Sequence, residues 1–226
     1  MSQYNPLSSS IPNVPFEQPK ALFRFGEQTL WSTQFISTTT SLANQTFRLF
    51  TTPVGQFGQG FSAGALTISE TNLKEGGRVP SGIAYDVFGI ASQVMLHSGT
   101  ADTSSYAEAI DTNTEIDELV GIISSGVLRW NFTQTTVDIC PMSLAGAGGG
   151  AFGAVAQNAA GANSGHMNNG NGQIWMYRKH PVALPGNTTF SVELAFGSRA
   201  PAAFAAAGVS IRVILLGYYK NIIEIA

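Results

Sequence analysis

The run Gly60-Phe61-Ser62-Ala63-Gly64 fits the G-x-S-x-G pattern that presents a serine nucleophile on a sharp turn. Acyl transfer by that route needs a strand before the serine and a helix after it. The next residues, Ala65-Leu66-Thr67-Ile68, favour a strand instead. In a chain with 25 glycines the match arises easily, and Ser62 is read as non-catalytic. His97, His166 and His180 are widely spaced, with no i, i+4 histidine pair, and Cys140 is the only cysteine, so no metal-ligand spacing exists. The glycine-rich stretch lacks the Gly-Lys-Ser/Thr ending of a phosphate loop and the dinucleotide fingerprint. Glu115, Asp117 and Glu118 fall in the first turn of an expected helix, where the helix dipole alone favours carboxylates. These residue types therefore predict a protein that is not an enzyme, with no catalytic, cofactor-binding or metal site and no cofactor.

The elements that would position such residues are set by composition. Of 226 residues, 44% are hydrophobic and only 11% charged, against roughly 25% charged in an ordinary soluble domain. So little charge protects a lone subunit poorly against association, which predicts a surface covered largely by copies of itself. The net charge is −3 and the eleven Lys and Arg residues are scattered, so no footprint for specific nucleic-acid binding is present. Cys140, in the apolar run around Val137 and Ile139, reads as a small buried hydrophobe. A single cysteine allows no intrachain disulfide, which fits synthesis in a cytoplasm. The opening Met1-Ser2-Gln3-Tyr4-Asn5-Pro6 has neither the basic nor the apolar region of a signal peptide, and no run nears the ~18 apolar residues of a membrane span. The Asn-x-Thr triplets at Asn44, Asn131 and Asn187 are read as chance matches to a glycosylation acceptor.

Residues 1–22 carry Pro6, Pro12, Pro15 and Pro19 among Ser, Asn and Gln, which predicts an extended proline-rich arm. The remainder, 23–226, reads as one all-β, jelly-roll β-sandwich domain. Thr189, Ser191 and Glu193 alternate with Phe190, Val192, Leu194 and Phe196, giving a polar and an apolar face to one strand. Leu128, Trp130 and Phe132 alternate with Arg129, Asn131 and Thr133, and the parity shift at 134–136 predicts a bend or bulge. Residues 209–216 are apolar apart from Ser210 and Arg212, as in a strand covered on both sides. Weaker strand signals lie at 23–36, 45–51, 65–68, 85–96 and 174–177. One short helix is expected over 115–125, capped by Thr114, with Ile116, Leu119, Val120 and Ile123 at helical spacing and Gly126 as its stop. A Gly/Ala/Asn-rich segment at about 145–172 lacks core-forming side chains and reads as a long contact or mobile loop. Many short strands with one connecting helix exclude an alternating α/β fold.

One ordered set of phrases carries a family likeness. Glu70-Thr71-Asn72-Leu73 precedes Gly77-Arg78-Val79-Pro80-Ser81-Gly82 and a strand from Tyr85; the helix and Gly126-Val127-Leu128-Arg129 follow. Pro185-Gly186-Asn187 then leads into the strand from Thr189, and Arg212-Val213-Ile214-Leu215-Leu216-Gly217-Tyr218 closes the series. In this order the chain resembles the jelly-roll capsid proteins of tailless icosahedral bacteriophages. The resemblance implies a coat protein of two facing antiparallel sheets that forms trimers or higher capsomers and tiles a virus shell, often around an internal lipid membrane. Its partners would be copies of itself and other virion proteins, and its location the virion. The family has no catalytic motif to transfer. The chain is short for a double roll, so a single roll is favoured, and the Gly/Ala/Asn-rich insertion has no counterpart in the family pattern.

Two further classes share these features. A filament or appendage subunit would also be a low-charge β protein that self-assembles. A carbohydrate-binding β-sandwich would need an aromatic platform, for which Trp31, Trp175, Tyr177, Tyr218 and Tyr219 are the candidates, although aromatics equally dominate cores and interfaces.

Overall fold

The longest β-forming runs of the sequence become the longest strands. A computed structural model describes residues 21–106, 113–132, 135–146, 156–157, 163–164, 174–177, 179–201 and 207–224. The strands are β1 (Ala21–Ile36), β2 (Thr46–Leu49), β3 (Ile83–Leu96), β4 (Gly126–Phe132), β5 (Thr135–Pro141), β6 (Ala156–Gln157), β7 (Asn163–Ser164), β8 (Trp175–Met176), β9 (Val182–Leu184), β10 (Phe190–Phe196) and β11 (Val209–Glu224); one helix, α1 (Asn113–Ser125), joins β3 to β4. Residues 1–20 of the expected 1–22 arm, and most of the Gly/Ala/Asn-rich segment, lie outside the described residues; Ala21 and Leu22, read as the end of that arm, are instead the first residues of β1, paired with Glu224 and Ile223. Within that segment β6 and β7 pair as a two-stranded ribbon.

Two antiparallel sheets make the fold an all-β sandwich with one helix. The larger has the order β1-β11-β3, with β8 and β9 both pairing β3; the smaller runs β2-β10-β4-β5. The pairs nest: β1 with β11, β2 with β10, β3 with β8 and β9, and β4 with β5. Successive pairs alternate between the sheets, and the contacts of β11 with β3 and β10 with β4 hold the folded ribbon together. Period-two alternation then decides what is inside. Val209, Ile211, Val213 and Leu215 of β11 face Phe190, Val192 and Leu194 of β10 across one continuous core that also holds Leu128 and Trp130.

Two tyrosines set the register of the long strands. The Tyr85 ring lies against Gly217 so closely that a Cβ there would sit 2.5 Å from Cζ. Its hydroxyl donates to the Leu215 carbonyl at 3.0 Å and to the Gln28 carbonyl, and burial raises its pKa. Tyr219 covers Gly26 in the same way. An aromatic ring over a strand glycine supplies the packing that the glycine lacks.

Several sequence expectations are corrected. The run 65–68 is not a strand; it lies in a turn-rich loop where Leu66 N–H bonds the Gln56 carbonyl and Gly55 N–H the Leu66 carbonyl. The parity shift at 134–136 marks a chain reversal, since Phe132 pairs with Thr135; the irregularity in this hairpin falls instead between Leu128 and Arg129. The strand β11 continues past Gly217 and Tyr218 to Glu224. The polar row of β10 is buried rather than open, because Glu193 is covered by Arg48, whose Nε donates at 3.1 Å, and by Asn131, whose Nδ2 donates at 2.6 Å. Helix α1 starts at Asn113, which puts Thr114 inside it; it buries Leu119 and Ile122 and leaves Val120 exposed.

Candidate functional site

The residues singled out for chemistry meet on the outer face of the larger sheet, where they serve as fastenings. One carboxylate oxygen of Asp102 accepts the Ser62 N–H at 2.5 Å, the Ala63 N–H at 2.9 Å and the Ser62 hydroxyl at 3.1 Å. Those bonds, the backbone ones foremost, hold the Asp102 carboxyl below its usual range, so it is a poor base. Among the described residues no imidazole is hydrogen-bonded to Ser62. His97 is buried, with Nδ1 on the Ser104 carbonyl at 2.9 Å and Nε2 on the Ser210 hydroxyl at 2.7 Å. A carbonyl only accepts, so Nδ1 carries the proton and Nε2 accepts from Ser210. Burial lowers the His97 pKa, partly offset by the Ser104 bond and the charge of Asp102.

Around this pair, loops 53–75 and 97–106 roof one half of the sheet face. Phe35 packs against Phe61 and His97, and His97 against Tyr106, at centroid separations of 5.6, 5.0 and 5.0 Å. Arg212 fastens the roof farther along, with Nε donating to Thr33 Oγ1 at 3.1 Å and Nη2 to the Ser69 carbonyl at 2.5 Å. The same loop closes the free edge of β1. Asn72 accepts the Trp31 N–H at 2.9 Å and donates to the Thr29 carbonyl at 2.7 Å, mimicking a neighbouring strand.

The other candidates are dispersed, so far as they are described. The Cys140 thiol is buried, which pushes its pKa up to about 11. Glu115 is buried at the start of α1, His180 is exposed, and His166 and the Asp117 side chain lie outside the described residues. Among the described residues no three His, Cys, Asp or Glu side chains are grouped to hold a metal, and no helix is long and apolar enough to cross a membrane. Asn44 and Asn187 occupy left-handed turn positions at φ 59° and 65°, and Asn131 is spent on Glu193.

The five aromatics are not assembled into one platform. Trp175, Tyr177 and Tyr219 pack against the core. Tyr177 accepts the Trp130 indole N–H at 2.7 Å, and burial pushes its pKa up to about 12. Trp31 donates its indole N–H to the Ile68 carbonyl at 3.0 Å. Tyr218 is the one of the five with a freely exposed ring, stacked at 4.9 Å on Phe88.

That ring belongs to the second half of the same sheet face, which no described loop covers. The register places its side chains in rows: Trp31 and Ile214 with Ala91, Thr29 and Leu216 with Gly89, then Glu27 and Tyr218 with Asp86. Met176 pairs with Gly89, and Ile174, Met176 and Leu216 all converge over that glycine, the first two within about 3 Å of where a Cβ would stand. Ile174, Met176 and Tyr218 are 37%, 45% and 42% exposed. Ile174 and Met176 line a shallow hollow of roughly 660 Å³ whose far rim is Lys179 and His180. Sequence reasoning missed this surface, although the even-numbered row Ile214, Leu216 and Tyr218 of β11 was its signal. A more polar hollow of roughly 560 Å³ lies between Thr51 and Arg78, lined also by Lys74 and Glu75, and Arg78 there is ion-paired to Glu75 at 2.7 Å.

No family model matches the chain, and no curated protein or solved structure matches it.

Proposed function

We propose that the chain is a virus coat subunit, built as a single jelly roll, that assembles with copies of itself into capsomers and a shell. The observation that carries this reading is the nested strand pairing: a long antiparallel ribbon, first strand with last and so inward, folded so that successive pairs fall in opposite sheets. That arrangement supports a jelly roll, an architecture used by capsid domains. The ordered sequence phrases that resemble those of phage coat proteins support it, as does the 11% charge content. An apolar half-face that no described loop covers supports association, because contiguous exposed apolar surface marks contact sites. The rigid sandwich acts as the brick, and its surfaces set the geometry: a repeated pair of patches closes into rings or shells when the rotation closes, and extends as a filament when it does not.

Size-exclusion chromatography with light scattering on the purified full chain, followed by negative-stain imaging of the large fractions, tests the reading. Rings, capsomers or closed shells are expected. Filaments would move the protein to the appendage class, and a monomer that persists at high concentration would overturn self-assembly altogether.

A further inference from the structure

We infer that the bare half of the larger sheet's outer face is a two-fold contact onto the same face of a second copy, with the axis parallel to the strands. The inference rests on the self-assembly reading and names its surface. A face-to-face pair of sheets packs about 10 Å apart with strand directions within about 30°. A two-fold axis along the strands, placed between β11 and β3, exchanges left and right but keeps each row at its own level. The β1 edge of one copy then lies over the β8 edge of the other.

The side chains at those two edges are complementary. Glu27, exposed on β1, is level with Tyr218 and Asp86. On the opposite edge, β8 pairs at Gly89 and β9 at Val87, so the connection carrying Lys179 and His180 stands beside Phe88, at that same level. Under the two-fold, Glu27 of each copy meets Lys179 of the other, and the two ion pairs bracket the apolar rows. Two rows up, Trp31 and the 61% exposed Ile68 at the β1 edge come over Ile174 of the other copy. The centre is apolar from both sides: Ile214 and Leu216 of one copy lie over Ala91 and Gly89 of the other. The Asp86 carboxylate already holds Lys220 Nζ at 2.5 Å within its own copy, so closing the contact strands no charge there. Within each copy Ile174, Met176 and Leu216 already cover Gly89 and Ala91 is buried, so the same covering apolar side chains of both copies make the contact, as an isologous interface requires. The rows of Thr33 and Phe35 lie under the roof, which bounds the contact on that side.

The test measures the concentration dependence of assembly by light scattering for the full-length chain and its Met176→Lys, Glu27→Lys, Lys179→Glu and Glu27→Lys/Lys179→Glu variants. Unchanged circular dichroism and melting temperature establish that each variant is folded. Met176→Lys is expected to raise the concentration needed for association at least about tenfold, as for a central interface position. Each single charge reversal is expected to weaken association severalfold, and the double reversal to restore it. Wild-type association with an unaffected Met176→Lys variant would overturn this contact and leave the self-assembly reading standing. A double reversal no better than the singles would overturn the two-fold arrangement, whereas a monomeric wild type would overturn both readings.

Discussion

The two halves of the larger sheet's outer face have the same backbone and alternation but opposite fates. In the roofed half, Phe35, Ser210 and Met95 are buried beneath loops that bring their own hydrogen bonds. In the bare half, Met176, Tyr218 and Ile174 meet solvent. A sheet face must bury its apolar row against something. Here the chain supplies its own cover for one half through an extensive polar fastening, while no described loop covers the other half. Under the proposed self-assembly, stability and association would reside in adjacent rows of the same strands.

Substitutions should separate the two halves. Phe35→Ala removes a buried ring from beneath Phe61 and His97 and is expected to lower unfolding free energy by about 3–5 kcal/mol in urea titrations of dilute protein. Asn72→Ala frees the β1 edge and leaves backbone groups of Thr29 and Trp31 unpaired, an expected loss of about 1–2 kcal/mol with increased aggregation on heating. Asp102→Asn weakens three bonds without changing shape and should cost about 1 kcal/mol, read most sharply as faster proteolysis within 53–64.

Acid should act on the roof in the same sense. His97 is held below its ordinary 6.5 by burial. The unfolded chain thus binds more protons just below that pH, and stability falls as pH drops through it. Asp102 is held below its ordinary 3.8, so its contribution is present above that value and is lost as pH falls further. The melting temperature should decline in two limbs, and His97→Gln should abolish only the upper one. Smallest is the effect of Met176→Lys on the dilute monomer, expected within about 0.5 kcal/mol. A large loss there would mean that the bare half is covered within its own chain.

Some of this was legible beforehand. The apolar rows of β10 and β11 follow from spacing, because the period of burial is the period of the backbone; on α1 the same spacing found Leu119 but placed Val120 inside and missed Ile122. The non-catalytic reading of Ser62 came from its following residues, although they form a loop rather than the expected strand. The fastening by Asp102 was not legible, since a carboxylate accepting two backbone N–H groups forty residues away has no local pattern. Nor was the burial of Glu193, which depends on Arg48 and Asn131 arriving on two different strands.

By itself, the sequence determined that this chain is a β protein with one short helix, since alternation fixes which side chains share a face of a strand. Only the tertiary structure decided which strands became neighbours and which half of an outer face was roofed. Pairing β1 with β11 joins residues at opposite ends of the chain, and cover is supplied by loops whose own sequence carries no periodic signal. Alternation names two faces for every strand; contacts distant in sequence determine what, if anything, lies against each.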